Sequence, residues 1–162
     1  MVNLLKLELS SQYSRPVIVV NDHIYCLIDT GANTPVWTYG ADTLIEEFDA
    51  VEITGIKFVL SGFGKIAEET PVFQIPKLVL GDINGEYIEF HGMYIACTLR
   101  PTMVTPLILS ATMFTHMNYM IRNLAVKGPT LEIEHEKNDY YVRPVYNELD
   151  NKYMQRIYSF AE

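Results

Sequence analysis

Cys26-Leu27-Ile28-Asp29-Thr30-Gly31-Ala32-Asn33-Thr34-Pro35 is an apolar run that passes without a break into Asp-Thr-Gly-Ala. A carboxylate at the end of a buried strand is costly unless it is hydrogen-bonded, so Asp29 needs donors close by in the chain. Gly31 permits a tight turn and Thr30 offers a hydroxyl. The same residues also spell an ordinary strand followed by an Asx-type turn, since Asp, Thr, Gly and Asn are all turn formers.

The surrounding sequence bears on which reading holds. Trp37 follows two residues after Pro35, giving D-T-G-A-N-T-P-V-W-T. Some thirty residues on stands Leu60-Ser61-Gly62-Phe63-Gly64-Lys65, whose Gly-x-Gly suits the tip of a mobile hairpin. Val72-Phe73-Gln74-Ile75-Pro76-Lys77-Leu78-Val79-Leu80-Gly81-Asp82 then reads as the strand descending from it. In this order the segments resemble the retropepsin-like, or retroviral-type, aspartic peptidases, from Leu4 to about Asn123. The tetrapeptide matches the retroviral loop. The following Trp is similar to that of pepsin-like lobes, at a spacing one residue longer. The resemblance implies an all-β, single-domain closed barrel with one or two short helices. It also implies Asp29 as the catalytic residue, Thr30, Gly31 and Ala32 as its support, and Gly62, Phe63 and Gly64 as a flap over a peptide substrate.

The family carries two apolar residues and then Gly before a short helix. Here Pro106-Leu107-Ile108-Leu109 leads instead to Ser110. Serine is small and can cap a helix over Ala111 to Met117. A core strand running into a capped helix would use the same residues without any role at Asp29.

With 162 residues the chain can bury one good core but not two full lobes. It carries a single Asp-Thr-Gly, because no other aspartate is followed by Thr-Gly or Ser-Gly. A peptidase of this type therefore takes its second carboxylate from another copy of itself across a twofold axis. Two carboxylates about 3 Å apart cannot both ionise readily, so they share a proton. Homodimeric peptide hydrolysis is the expectation. The alternative is a catalytically inactive peptide-binding or dimerisation module on the same scaffold.

Twelve basic against twenty acidic residues give a net charge of −8 with no basic stripe, which argues against nucleic acid as a partner. No apolar stretch approaches the length of a membrane span and the amino terminus lacks a leader pattern, so a soluble cytoplasmic protein is expected. Cys26 and Cys97 read as buried small hydrophobes in a reducing compartment. Cys26 has no His-Asn pattern to make it a nucleophile. His23, His91, His116 and His135 are scattered, none at metal-ligand spacing with another His or Cys, so neither a metal nor a cofactor is expected. Glu132, Glu134 and Glu136 alternate as the solvated face of a strand would.

Strand patterns fill the rest. Leu5, Leu7 and Leu9 alternate with polar residues, and Val17-Val20 with Ile24-Asp29 forms a hairpin that delivers Asp29. Leu44, Ile45 and Phe48 at helical spacing mark a short helix or turn over Ala41 to Phe48. Further short strands are expected at Val51-Ile53, Lys57-Leu60, Val72-Ile75, Leu78-Leu80, Tyr87-Phe90 and Met93-Cys97. The peptidase-like domain is taken as residues 1–143. The extension 144–162 is expected to be helical, because Leu149, Tyr153, Ile157 and Phe160 fall near one helical face.

Overall fold

The structure, a computed structural model, describes residues 2–10, 15–32, 34–62, 65–98, 105–115, 117–124, 128–147 and 152–158. Among the described residues, twelve strands, one α-helix and one 3-10 helix follow one another as β1 (Asn3–Glu8), β2 (Val17–Val20), β3 (Ile24–Asp29), β4 (Val36–Trp37), α1 (Ala41–Phe48), β5 (Val51–Gly62), β6 (Lys65–Gly81), β7 (Tyr87–Cys97), β8 (Leu107–Ser110), the 3-10 helix (Ala111–Phe114), β9 (Asn118–Leu124), β10 (Gly128–His135), β11 (Asp139–Asn147) and β12 (Lys152–Tyr158). The all-β expectation therefore holds. The closed barrel does not: the strands form a three-stranded sheet, β1-β10-β9, and a nine-stranded sheet whose main path, β12-β11-β7-β4-β8-β3-β2, ends on two strands that do not pair with each other. The β5–β6 hairpin joins the larger sheet by pairing β6 with β7.

The hairpin that leads to Asp29 forms as its sequence dictates. Val17 to Val20 pairs antiparallel with Leu27 to Ile24, and the turn uses Asn21 and Asp22 at φ 52° and 66°, a backbone region these two residues tolerate better than most. β8 then lies parallel to β3 on its other side, with Asp29 opposite Ser110.

Several pairs of expected strands merge. Val51–Ile53 and Lys57–Leu60 belong to one strand, with a register shift between Ile53 and Lys57 that Gly55 accommodates at φ 83°. β6 likewise runs through Pro76. Proline donates nothing to a ladder, and the register passes from Ile75↔Met93 to Lys77↔His91, leaving Pro76 beside Gly92 at φ 72°.

Helix α1 has the expected bounds, with Leu44 and Phe48 buried and Ile45 facing out. Burying two such side chains is worth about 1.5–3 kcal/mol each. No side chain caps its amino end, but Trp37 Nε1–H donates to Thr43 Oγ1 at 2.9 Å, and that hydroxyl's one hydrogen is shared between the Tyr39 carbonyl at 2.8 Å and the Gly40 carbonyl at 3.0 Å. The main core joins both sheets through Leu5, Leu7, Leu131 and Ile133 on one side and Ile28, Trp37, Ile75 and Phe90 on the other.

The carboxyl-terminal expectation is corrected. Lys152–Tyr158 is a strand, paired antiparallel with β11 from Asn147↔Lys152 to Tyr141↔Tyr158. Tyr153 and Ile157 are four residues apart, an even number, so they share a face of a strand as well as a helix; the spacing could not choose between them. Leu149 and Phe160 lie outside the described residues. Glu132 is also not solvated: it is buried, 3.4 Å from Arg122 Nη1, and accepts from Thr130 Oγ1 at 3.3 Å. Among the described residues no helix is long and apolar enough to cross a membrane.

Candidate active site

β3 carries Asp29 to the point where its buried run ends, with Cys26, Leu27 and Ile28 in the core and Asp29 half-buried. The chain turns at once. Gly31 N–H donates to Asp29 Oδ1 at 2.9 Å and Ala32 N–H donates to the Asp29 carbonyl at 3.3 Å. The nearby donor that a carboxylate at a strand end requires is therefore present. Gly31 is not at positive φ, and a Cβ there would meet Asp29 Oδ1 at 3.4 Å, an ordinary contact, so the turn in this form does not itself demand glycine. Thr30 is exposed, and the hydroxyl expected to support the site has no hydrogen-bond partner among the described residues.

The floor of the loop is held from β8. Ser110 is fully buried, and its hydroxyl donates to the Ala32 carbonyl at 2.6 Å. With its one hydrogen used there, Ser110 Oγ accepts from Thr112 N–H at 3.2 Å and from the Thr112 hydroxyl at 2.8 Å. The expected helix cap is thus present, though the helix is a single 3-10 turn, Ala111–Phe114, rather than one reaching Met117. The threonines at 112 and 115 contribute little helix propensity to prolong it.

Two anchors fix the far side of the loop. Trp37 packs edge-on against Phe48 at 5.8 Å between ring centres. Thr38, fully buried, donates its hydroxyl to the Thr105 carbonyl at 2.8 Å and its N–H to Pro106 at 2.8 Å. Thr38 was missed in the sequence because a single threonine after a strand carries no pattern; its role comes from a chain segment some seventy residues away.

The segment expected to form a flap falls at the tip of the β5–β6 hairpin. Its backbone pairing reaches Gly62↔Lys65, while Phe63 and Gly64 lie outside the described residues. A second, smaller apolar cluster ties this hairpin to the loop: Phe58, Val72, Val36, Ile108 and Val17 are buried in it, with Ala32, Ile56 and Tyr94 partly buried at its margin.

Neither thiol competes with Asp29 for a chemical role. Burial pushes the Cys26 thiol far above its ordinary value and that of Cys97 up to about 11, so both stay protonated and inert. His135 is a core histidine whose Nδ1 donates to the Lys137 carbonyl at 2.8 Å and whose Nε2 lies 3.0 Å from Glu86, out of hydrogen-bonding alignment. A concavity lined by Thr115, Met117, Glu134 and Tyr140 contains no residue of the Asp29 loop.

No protein-family model matches the chain, and no curated protein matches it. Among solved structures, a retropepsin-like aspartic protease from Rickettsia conorii is similar in fold, at TM-score 0.52 and 15% identity, over 83% of this chain and 92% of that one. At that identity the likeness concerns the fold alone.

Proposed function

We propose that the chain is an aspartic endopeptidase of the retropepsin-like type, active as a homodimer in which Asp29 and the partner's Asp29 form the catalytic dyad. The observation that carries this reading is the half-buried Asp29 carboxylate, presented at a strand end by a Gly31 N–H, on a scaffold shared with a protease of that kind. One carboxylate, ionised, takes a proton from a water that attacks the scissile carbonyl carbon. The other, protonated, gives its proton to the carbonyl oxygen. Collapse of the tetrahedral intermediate breaks the C–N bond as the amide nitrogen receives a proton, and the dyad returns to sharing one. The pair titrates as a unit.

The substrate class is an extended polypeptide that adds as a strand between the β5–β6 hairpin and the floor of the site, its alternate side chains entering apolar pockets. The partly buried Ala32, Ile56 and Tyr94 supply apolar surface on that side. A reducing, cytoplasmic setting suits Cys26 and Cys97, which are free and buried. The test is cleavage of an unfolded polypeptide at acidic to near-neutral pH. Asp29→Asn abolishes it while circular dichroism and melting stay those of the wild type; equal cleavage by the variant overturns the assignment.

A further inference from the structure

On the face of the larger sheet, away from Asp29 in the sequence, β7 and β11 meet in a parallel seam of three register pairs: Asp139↔Glu89, Tyr140↔Phe90 and Tyr141↔His91. Among the described residues this short ladder is the one strand pairing that ties the β11–β12 hairpin to the rest of the sheet. Glu89 and His91 are two apart on β7 and share a face, and Asp139 stands directly opposite Glu89. The result is a convergence on one ring nitrogen: His91 Nε2 lies 2.9 Å from Asp139 Oδ1 and 3.1 Å from Glu89 Oε2. The three donor atoms all fall within 4.8 Å of one another.

Hydrogen bonding alone serves this arrangement poorly. Nε2 of a neutral imidazole carries at most one hydrogen, so it can satisfy one carboxylate and leaves the other facing a like charge. The ring is also held in place from outside the cluster: Tyr141 stacks on it at 4.8 Å between centres and 19° between planes. Ligand atoms about 2.1 Å from a shared cation stand about 3.0–3.4 Å apart in octahedral or tetrahedral geometry; Nε2 keeps about that separation from both oxygens, and the oxygens, within 4.8 Å of each other, would close on an ion by a turn of the half-exposed Asp139 side chain. One imidazole and two carboxylates suit a divalent first-row cation of the zinc kind, whose charge would cancel that of the carboxylates. Asp139 is half exposed, so water can complete the coordination.

We propose that Glu89, His91 and Asp139 form a divalent transition-metal site that clamps the carboxyl-terminal β11–β12 hairpin to β7. The site is separate from the proposed dyad and does not depend on peptidase activity.

The experiment is zinc titration of the full chain, followed by calorimetry and by melting temperature. Wild type binds one zinc per chain at this site and melts at least about 3 °C higher in 100 μM zinc chloride. The Glu89→Gln, Asp139→Asn double variant, near-isosteric and freed of one charge repulsion, loses that rise. His91→Gln, which keeps both carboxylates, loses it as well and serves if the double variant folds poorly. Asp29→Asn responds as wild type does, so failure of the peptidase reading leaves this result untouched. No rise in the wild type, or an equal rise in either cluster variant, overturns the site.

Discussion

Asp29 and Ser110 stand opposite each other on the parallel strands β3 and β8, and the Ser110 hydroxyl passes beneath the turn to bond the Ala32 carbonyl at 2.6 Å. A serine that stands where the sequence resemblance leads to an expected glycine is therefore built into the loop. Removing the hydroxyl in Ser110→Ala leaves the Ala32 carbonyl and the Thr112 N–H without their partner. The cost expected is about 1–3 kcal/mol of stability, measured by denaturant unfolding. A change under half a kcal/mol would mean that water replaces the hydroxyl at no cost and that the strut is incidental.

Trp37 ties the end of the loop to α1 by packing on Phe48 and by its Nε1–H bond to Thr43. Trp37→Phe keeps most of the apolar contact and deletes the bond. The expected loss is about 1–2 kcal/mol, seen as a lower midpoint with an unchanged denaturant slope. A changed slope would indicate that the substitution alters the compactness of the native or denatured state and not a single bond.

On the surface, His23 Nε2 lies 3.1 Å from Glu47, and that hydrogen bond, helped by the Asn21 carbonyl, raises the imidazole above its ordinary 6.5. A raised folded-state value means that the protonated ring is favoured by folding. The contribution is complete below about pH 6.5 and fades as pH rises through the higher folded value. Glu47→Gln should therefore lower the melting temperature relative to wild type at about pH 5.5, with the difference closing at about pH 8.5. A difference that persists unchanged at the higher pH would show that Glu47 acts through something other than the histidine charge.

What was legible in the sequence was local. The Asn21-Asp22 turn, the bounds of α1 and the delivery of Asp29 all follow from residues within a few positions of one another. Features that depend on distant segments escaped. Pro76 and Gly55 looked like strand ends, yet a facing glycine and a register shift absorb them. The even spacing of Tyr153 and Ile157 fits both a helix and a strand, and only the presence of β11 as a partner decides it. The Glu89–His91–Asp139 cluster has no spacing signature, because Asp139 reaches the other two through a parallel pairing across almost fifty residues. Glu132 looked solvated because alternation records the faces of a strand and not whether Arg122 covers one of them.

Assembly gives the sharpest check on the proposed peptidase. A lone chain offers one Asp-Thr-Gly and a carboxylate with no second carboxylate to share its proton, so cleavage must follow the dimer. Well below the dimer dissociation constant the dimer concentration varies as the square of total protein, and a tenfold dilution then lowers specific activity about tenfold. Sedimentation across the same range should show the twofold dimer giving way to monomer where activity falls. A statine-type inhibitor, whose hydroxyl takes the place of the dyad-bound water, should raise the melting temperature and shift the association toward dimer, because it binds only the assembled site. Specific activity that stays constant through the monomer range would contradict a shared dyad, and a verified dimer without inhibitor stabilisation would leave the scaffold a binding module.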